Sequence, residues 1–72
     1  MKAKVNLDTL KRINEFVEIC SQIDCRVNLV DGCGYCVSAK SLIGAIATTD
    51  WSQTFVECDC DIYMLIKDFV VA

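Results

Sequence analysis

The fold of this chain is decided by the stretch from residue 38 to residue 46, which reads Ser38-Ala39-Lys40-Ser41-Leu42-Ile43-Gly44-Ala45-Ile46. A serine followed at once by apolar residues is typical of a helix N-terminus, because its hydroxyl can accept a hydrogen bond from a free amide of the first turn. We therefore expect a short helix between Lys40 and Thr48 that is capped by Ser41. The residues on either side of this helix predict the other elements.

A longer helix is predicted near the start of the chain. Asp8-Thr9 is an N-cap signal, and the apolar residues that follow recur at helical spacing. Their shared face consists of Leu10, Ile13, Phe16, Val17, Cys20 and Ile23. A short strand from Lys4 to Leu7 precedes this helix.

A β-hairpin is predicted between the two helices. Alternation indicates a half-buried strand whose inner residues are Cys25, Val27 and Leu29. The glycines of the segment from Asp31 to Gly34 tolerate backbone conformations that strain other residues, so this segment is predicted to be the turn. The return strand places Tyr35, Val37 and Ala39 on one face.

A strand and a helix complete the chain. The strand is predicted from Thr54 to Cys60, with an apolar face formed by Val56, Cys58 and Cys60. Asp59 or Asp61 is expected to cap the last helix. The apolar stripe of that helix consists of Ile62, Leu65, Ile66, Phe69 and Val70.

The predicted elements follow the order β-α-β-β-α-β-α within one domain, residues 1–72. This order favours an α+β fold in which a four-stranded antiparallel sheet carries three helices on one face, an open-faced sandwich. Val30 and Phe55 then lie on the uncovered face. Apolar area there indicates a partner protein or a homodimer.

Composition narrows the classes of function. The net charge of −3 has no basic cluster, which disfavours nucleic acid and an anionic membrane surface as partners. No apolar run reaches the roughly 20 residues that a membrane span needs. The chain begins without an export-like segment, so we expect a cytoplasmic protein. In a reducing cytosol its six cysteines are expected to be free thiols.

The Ser41 stretch and the order of elements together resemble HPr, the phosphocarrier of the bacterial sugar phosphotransferase system. The resemblance extends over nearly the whole chain, from the Lys40-Ser41-Leu42-Ile43-Gly44 motif forward without a gap and backward with a small insertion in the Asp31 to Tyr35 hairpin. No single motif is diagnostic; the joint fit of order and spacing supports the resemblance, which implies an HPr-like fold.

The position that matches the phosphoryl-accepting histidine of HPr holds Thr9, and the chain contains no histidine. Transfer at that site uses an imidazole nitrogen as nucleophile, whereas an unactivated hydroxyl is a poor nucleophile and forms a stable ester. Thr9 is better explained as a helix cap. The chain is therefore expected to be neither a histidine phosphocarrier nor an enzyme, and to need no cofactor or metal.

The resemblance implies a regulatory role instead. Ser41 matches a serine that a dedicated kinase phosphorylates in some members of the family, and an apolar docking surface follows it. The matching surface here consists of Leu42, Ile43 and Ile46. The implied partners are an HPr kinase or a transcriptional regulator. The simpler alternative is that Ser41 only caps its helix, with the three apolar residues in the core or on ordinary surface.

A second function is suggested by Cys33-Gly34-Tyr35-Cys36, whose spacing is that of dithiol redox sites and zinc knuckles. A hairpin lacks the helix N-terminus that activates a redox thiol. A zinc site would need Cys58 and Cys60 as the second pair, but Cys36 should point from the opposite face of the sheet. Four cysteines on inward faces are expected to act as small hydrophobes: Cys20, Cys25, Cys58 and Cys60.

Overall fold

In a computed structural model, which describes residues 1–71, the chain forms four strands and three helices. Their order is β1 (Lys2–Lys4), α1 (Leu10–Ser21), β2 (Val27–Val30), β3 (Cys36–Ser38), α2 (Leu42–Ala47), β4 (Phe55–Cys58) and α3 (Tyr63–Ile66). A 3-10 turn, Thr48–Asp50, extends α2. The predicted order β-α-β-β-α-β-α is confirmed.

The sheet has the strand order β1-β4-β2-β3, and every neighbouring pair is antiparallel. Leu29 and Val56 are register partners in β2 and β4, and both are fully buried. The next pair, Val30 and Phe55, points to the other face and is half-buried. One face of the sheet therefore enters the core and the other is open, which is compatible with the expected open-faced sandwich.

Helix α1 contributes the largest fully buried side chain of the core. Phe16 is fully buried, and its ring meets the ring of Phe69 edge to face, with centroids 5.2 Å apart and planes at 75°. Leu10, expected on the same apolar face, is instead 60% exposed because it lies at the first turn, before the helix reaches the sheet. The buried apolar residues are Val5, Leu7, Ile13, Phe16, Cys20, Val27, Leu29, Ala39, Ala45, Val56, Cys58, Ile62, Ile66 and Phe69.

The first strand lies earlier than the alternation of Val5 and Leu7 predicts. Both residues are buried, but only Lys2–Lys4 forms the ladder with β4. Beyond it, Val5 bridges to Val70, and the Asn6 amide donates to the carbonyl of Phe69 over 2.8 Å. The segment therefore pairs with the end of the chain, which periodicity alone cannot show.

The last strand and helix are shorter than expected. Strand β4 stops at Cys58, and α3 is a single turn. Asp61 rather than Asp59 supports its start, since its Oδ1 accepts a hydrogen bond from the Tyr63 amide over 3.1 Å. Leu65, expected in the apolar stripe, is 58% exposed, because the chain leaves helical geometry after Ile66 and brings Phe69 into the core by a turn.

The edge-to-face contact predicts which substitutions on α1 the domain can tolerate. Phe16→Ala should lower the free energy of unfolding by about 3–5 kcal/mol, because it removes a large buried ring and leaves a cavity. That is a large part of the roughly 5–15 kcal/mol that holds a whole domain. Leu10→Ala on the same helix should cost less than about 0.5 kcal/mol, because Leu10 is exposed. Urea denaturation followed by circular dichroism measures both; equal losses would contradict this core.

Candidate functional site

Ser41 occupies the N-cap of α2, as the sequence predicts. Its backbone is extended, and its Oγ accepts a hydrogen bond from the amide of Gly44 over 3.2 Å. The carbonyl of Ser41 accepts from the Ala45 amide over 2.9 Å, which begins the helix. The residue itself is exposed. Capping therefore leaves the side chain open to solvent.

Gly44 allows α2 to lie close to the sheet. A Cβ atom at this position would come within 3.2 Å of the Cβ of Val37 on β3 and 3.4 Å from the Oγ of Ser41. The approach to Val37 is tighter than most Cβ contacts, so a larger residue here would require its neighbour to move by a few tenths of an ångström. The glycine of the motif is thus explained by close packing beneath the helix.

The three apolar residues after Ser41 face away from the core. Ile43 is 83% exposed, and Leu42 and Ile46 are 41% and 40% exposed. The residue that α2 buries is the small Ala45. Amphipathic helices usually bury their large apolar side chains and expose polar ones. In α2 the large apolar side chains are instead the exposed ones, so Leu42, Ile43 and Ile46 form an apolar surface next to Ser41, hereafter the α2 surface.

Thr9 is the N-cap of α1, and its Oγ1 accepts a hydrogen bond from the amide of Arg12 over 3.2 Å. The guanidinium of Arg12 is engaged within the fold. It donates to the carbonyl of Asn6 over 3.3 Å and to that of Asp68 over 3.0 Å, and it lies 4.9 Å from the ring centroid of Phe69. The position expected to match the HPr histidine therefore holds a helix cap, and the guanidinium of Arg12 links the segment before α1 to residues after α3.

Cys33 and Cys36 are exposed, free thiols in the β2–β3 hairpin. The Asp31 carboxylate organises this turn by accepting from the amides of Cys33 and Tyr35 over 2.8 and 3.0 Å, while Gly34 supplies a φ of 104°. No helix begins at the hairpin. The pair is thus accessible, and its redox or metal role remains a prediction.

A disulfide joins Cys25 to Cys60, so the expectation that all six cysteines are free is wrong for these two. Strands β2 and β4 are antiparallel neighbours, and Val27 faces Cys58 in their register. Cys25 lies two residues before Val27, and Cys60 lies two residues after Cys58, on the same face of the sheet. Their Cα atoms are 6.4 Å apart. That separation is within the range that a disulfide spans. They are half-buried and crosslinked rather than simple small hydrophobes.

Cys20 and Cys58 are free and buried, in the position expected of small hydrophobes. Burial, together with the neighbouring Cys58, raises the pKa of the Cys20 thiol to about 12, and Lys40 partly opposes the shift. Cys20 therefore stays protonated at neutral pH, and a protonated thiol is a poor nucleophile.

A comparison of the sequence with models of known protein families finds no match, and neither does a comparison with curated proteins. The resemblance to HPr therefore rests on the residues of the chain itself. Within residues 1–71, none of the helices has the length and apolar character that crossing a membrane requires.

We expect the disulfide to contribute strongly to the free energy of unfolding. Replacing both partners, Cys25→Ser with Cys60→Ser, should lower the free energy of unfolding by about 3–4 kcal/mol, because the crosslink restricts a loop of 35 residues in the unfolded chain. Urea denaturation without reductant measures the loss. The matched control, Cys33→Ser with Cys36→Ser, should cost less than about 0.5 kcal/mol, because both side chains are exposed.

Thiol titration of the same preparations verifies the bond itself. Unfolded, unreduced wild-type protein should show the four free thiols, Cys20, Cys33, Cys36 and Cys58. Titration of all six, with a double variant as stable as the wild type, would contradict the crosslink.

Proposed function

We propose that this chain is a non-catalytic, HPr-like protein that acts by binding a partner protein through Ser41 and the α2 surface. The observation that carries this proposal is the exposure of the large apolar side chains of α2, where the small Ala45 is buried while Ile43 is 83% exposed. Hydration of exposed apolar side chains is unfavourable, so a partner that covers them lowers the free energy of the complex. An exposed serine beside such a surface is well placed to regulate that contact.

The site matching the family histidine supports a role without phosphoryl transfer to other proteins. Thr9 offers a hydroxyl that already caps α1, and Arg12 is held by two backbone carbonyls and an aromatic ring. A phosphocarrier needs a reactive nitrogen and a cation free to hold phosphate. Neither need is met here, so the α2 surface is the better candidate for function.

Modification of Ser41 would act on that surface in a simple way. A phosphoserine carries close to two negative charges at neutral pH. Placed directly before Leu42 and Ile43, this charge would oppose contact with an apolar partner or favour contact with a basic one. The resemblance implies that an HPr kinase would phosphorylate Ser41. The implied binding partner is that kinase or a transcriptional regulator.

A redox or metal role for Cys33 and Cys36 is the second candidate. It is favoured by the exposure of both free thiols. The hairpin offers no helix N-terminus to lower a thiol pKa, and Cys36 lies on the exposed side of β3. The proposed interaction role therefore takes precedence.

Phosphorylation by an HPr kinase tests the role of Ser41. Wild-type protein incubated with the kinase and ATP should gain the mass of one phosphate, measured on the intact protein. Ser41→Asn should gain none, because asparagine retains a capping oxygen but has no hydroxyl to phosphorylate. Ser38→Ala, which removes an exposed serine three positions earlier, should be phosphorylated as the wild type is. An unmodified wild type, or a phosphorylated Ser41→Asn variant, would remove Ser41 as the site.

Docking on the α2 surface has its own test. Ile43→Asp should lower kcat/KM of the kinase for this protein by about 10-fold or more, because an isoleucine that a partner buries contributes roughly 1.5–3 kcal/mol. Met64→Asp is the matched control, since Met64 is 73% exposed and lies on α3. It should leave kcat/KM unchanged. Equal effects of the two substitutions would show that Ile43 has no docking role.

A further inference from the structure

Three sulfur atoms converge where β2 begins and β4 ends. The Sγ atoms of Cys25, Cys58 and Cys60 all lie within 4.8 Å of one another. Cys58 is the last residue of β4 and is buried, while the other two are half-buried at the edge of the core. The disulfide uses two of these sulfurs and leaves the third, Cys58, as a free thiol beside it. Stability alone does not require that third sulfur.

The spacing of the sulfurs suits a bound metal ion. Zinc binds thiolate sulfur at about 2.3 Å, so sulfurs that share one zinc ion lie roughly 4 Å apart. The three sulfurs lie within 4.8 Å of one another, and the two that are bonded can separate once the disulfide is reduced. Thiolates select soft cations such as zinc over magnesium or calcium. Asp59, between two of the cysteines, is exposed and alternates to the other face of the chain, so the ligands are sulfur only.

We propose that reduction of the Cys25–Cys60 disulfide converts this cluster into a zinc site with three thiolate ligands, Cys25, Cys58 and Cys60. A dithiol reductant supplies two electrons and two protons, which break the S–S bond and give two thiols, while the reductant becomes a disulfide. Zinc then displaces one proton from each of the three thiols and forms three Zn–S bonds. The fourth coordination position is left to water, as in zinc sites with three protein ligands.

The surrounding backbone holds the proposed ligands in place. The Cys58 amide donates to the carbonyl of Met1 over 2.9 Å, and the amino terminus donates to the carbonyl of Cys58. The Lys40 ammonium group donates to the carbonyl of Ile23 over 2.5 Å, two residues before Cys25. The site is thus supported by elements that form without the metal.

Zinc and the disulfide exclude each other in this arrangement. The oxidised protein offers zinc only Cys58, whereas the reduced protein offers three ligands. Bound zinc in turn withholds Cys25 and Cys60 from oxidation, because their lone pairs are engaged with the metal. The same residues would therefore respond to the redox state of their surroundings. They would form the disulfide under oxidising conditions and bind zinc under reducing conditions. This inference does not depend on Ser41 or the α2 surface.

Zinc titration of the reduced, folded protein tests the site. Protein reduced and then freed of reductant without oxygen should bind one Zn²⁺, as counted by native mass spectrometry, with affinity measured against a chromophoric chelator. Cys58→Ala should weaken binding by more than about 100-fold, since even partners that only contact a ligand cost 10–100-fold when removed. The oxidised wild type should bind none. Cys33→Ser with Cys36→Ser should bind as the wild type does.

Any of the following results would overturn the proposal. A reduced protein that binds no zinc has only a structural disulfide at this position, and loss of binding in the Cys33→Ser, Cys36→Ser variant would move the site to the hairpin. An unchanged affinity of the Cys58→Ala variant for Zn²⁺ would exclude Cys58 as the third ligand. Should Cys58→Ala fail to fold by circular dichroism, Cys60→Ser at the half-buried position replaces it. Co²⁺ in place of zinc should show sulfur-to-metal charge-transfer absorption, and its absence would contradict thiolate ligands.

Discussion

The pairing of β4 with β2 is the constraint on which the rest of this structure depends. These two central strands are far apart in sequence, and their register brings Val56 against Leu29 at the middle of the core. Helix α1 then covers that face with Phe16, and β1 and β3 add to the outer edges. The same register places Cys25 beside Cys60 and leaves Val30 beside Phe55 on the open face. Core, crosslink and open face all follow from one antiparallel pair.

Local patterns predicted the elements that local interactions stabilise. The spacing of Ile13, Phe16 and Cys20 predicted α1, and Thr9 and Ser41 were identified as caps because their side chains bond amides only three residues away. Alternation likewise assigned Val56 and Cys58 to one face. These features depend on the spacing of apolar residues and on hydrogen bonds within one turn. A short stretch of sequence determines both.

The main features that the sequence did not predict depend on contacts between distant segments. Alternation placed Cys25 and Cys60 on inward faces, but only the order of strands shows that they are adjacent. The position of β1 was wrong because Val5 pairs with Val70 rather than with the sheet alone. Local sequence leaves the exposure of Ile43 open, because that exposure depends on how α2 packs against the sheet, where Gly44 lies close to Val37. The pairing of the cysteines and the exposure of the α2 surface are therefore set by the fold rather than by local sequence.

A domain of 72 residues gains much from a crosslink, since small cores barely outweigh the entropy of the chain. The disulfide and the proposed zinc ion both join the start of β2 to the end of β4, but they stabilise the domain in different ways. The disulfide restricts a loop in the unfolded chain, whereas zinc would stabilise by binding the folded state. They differ in the conditions under which they form, because the disulfide requires oxidation and the metal requires free thiols. The least stable state is then the reduced protein without metal. If the proposed zinc site forms, three sulfurs at one position would keep the central strand pair crosslinked in either redox environment, whereas the disulfide alone secures it only when oxidised.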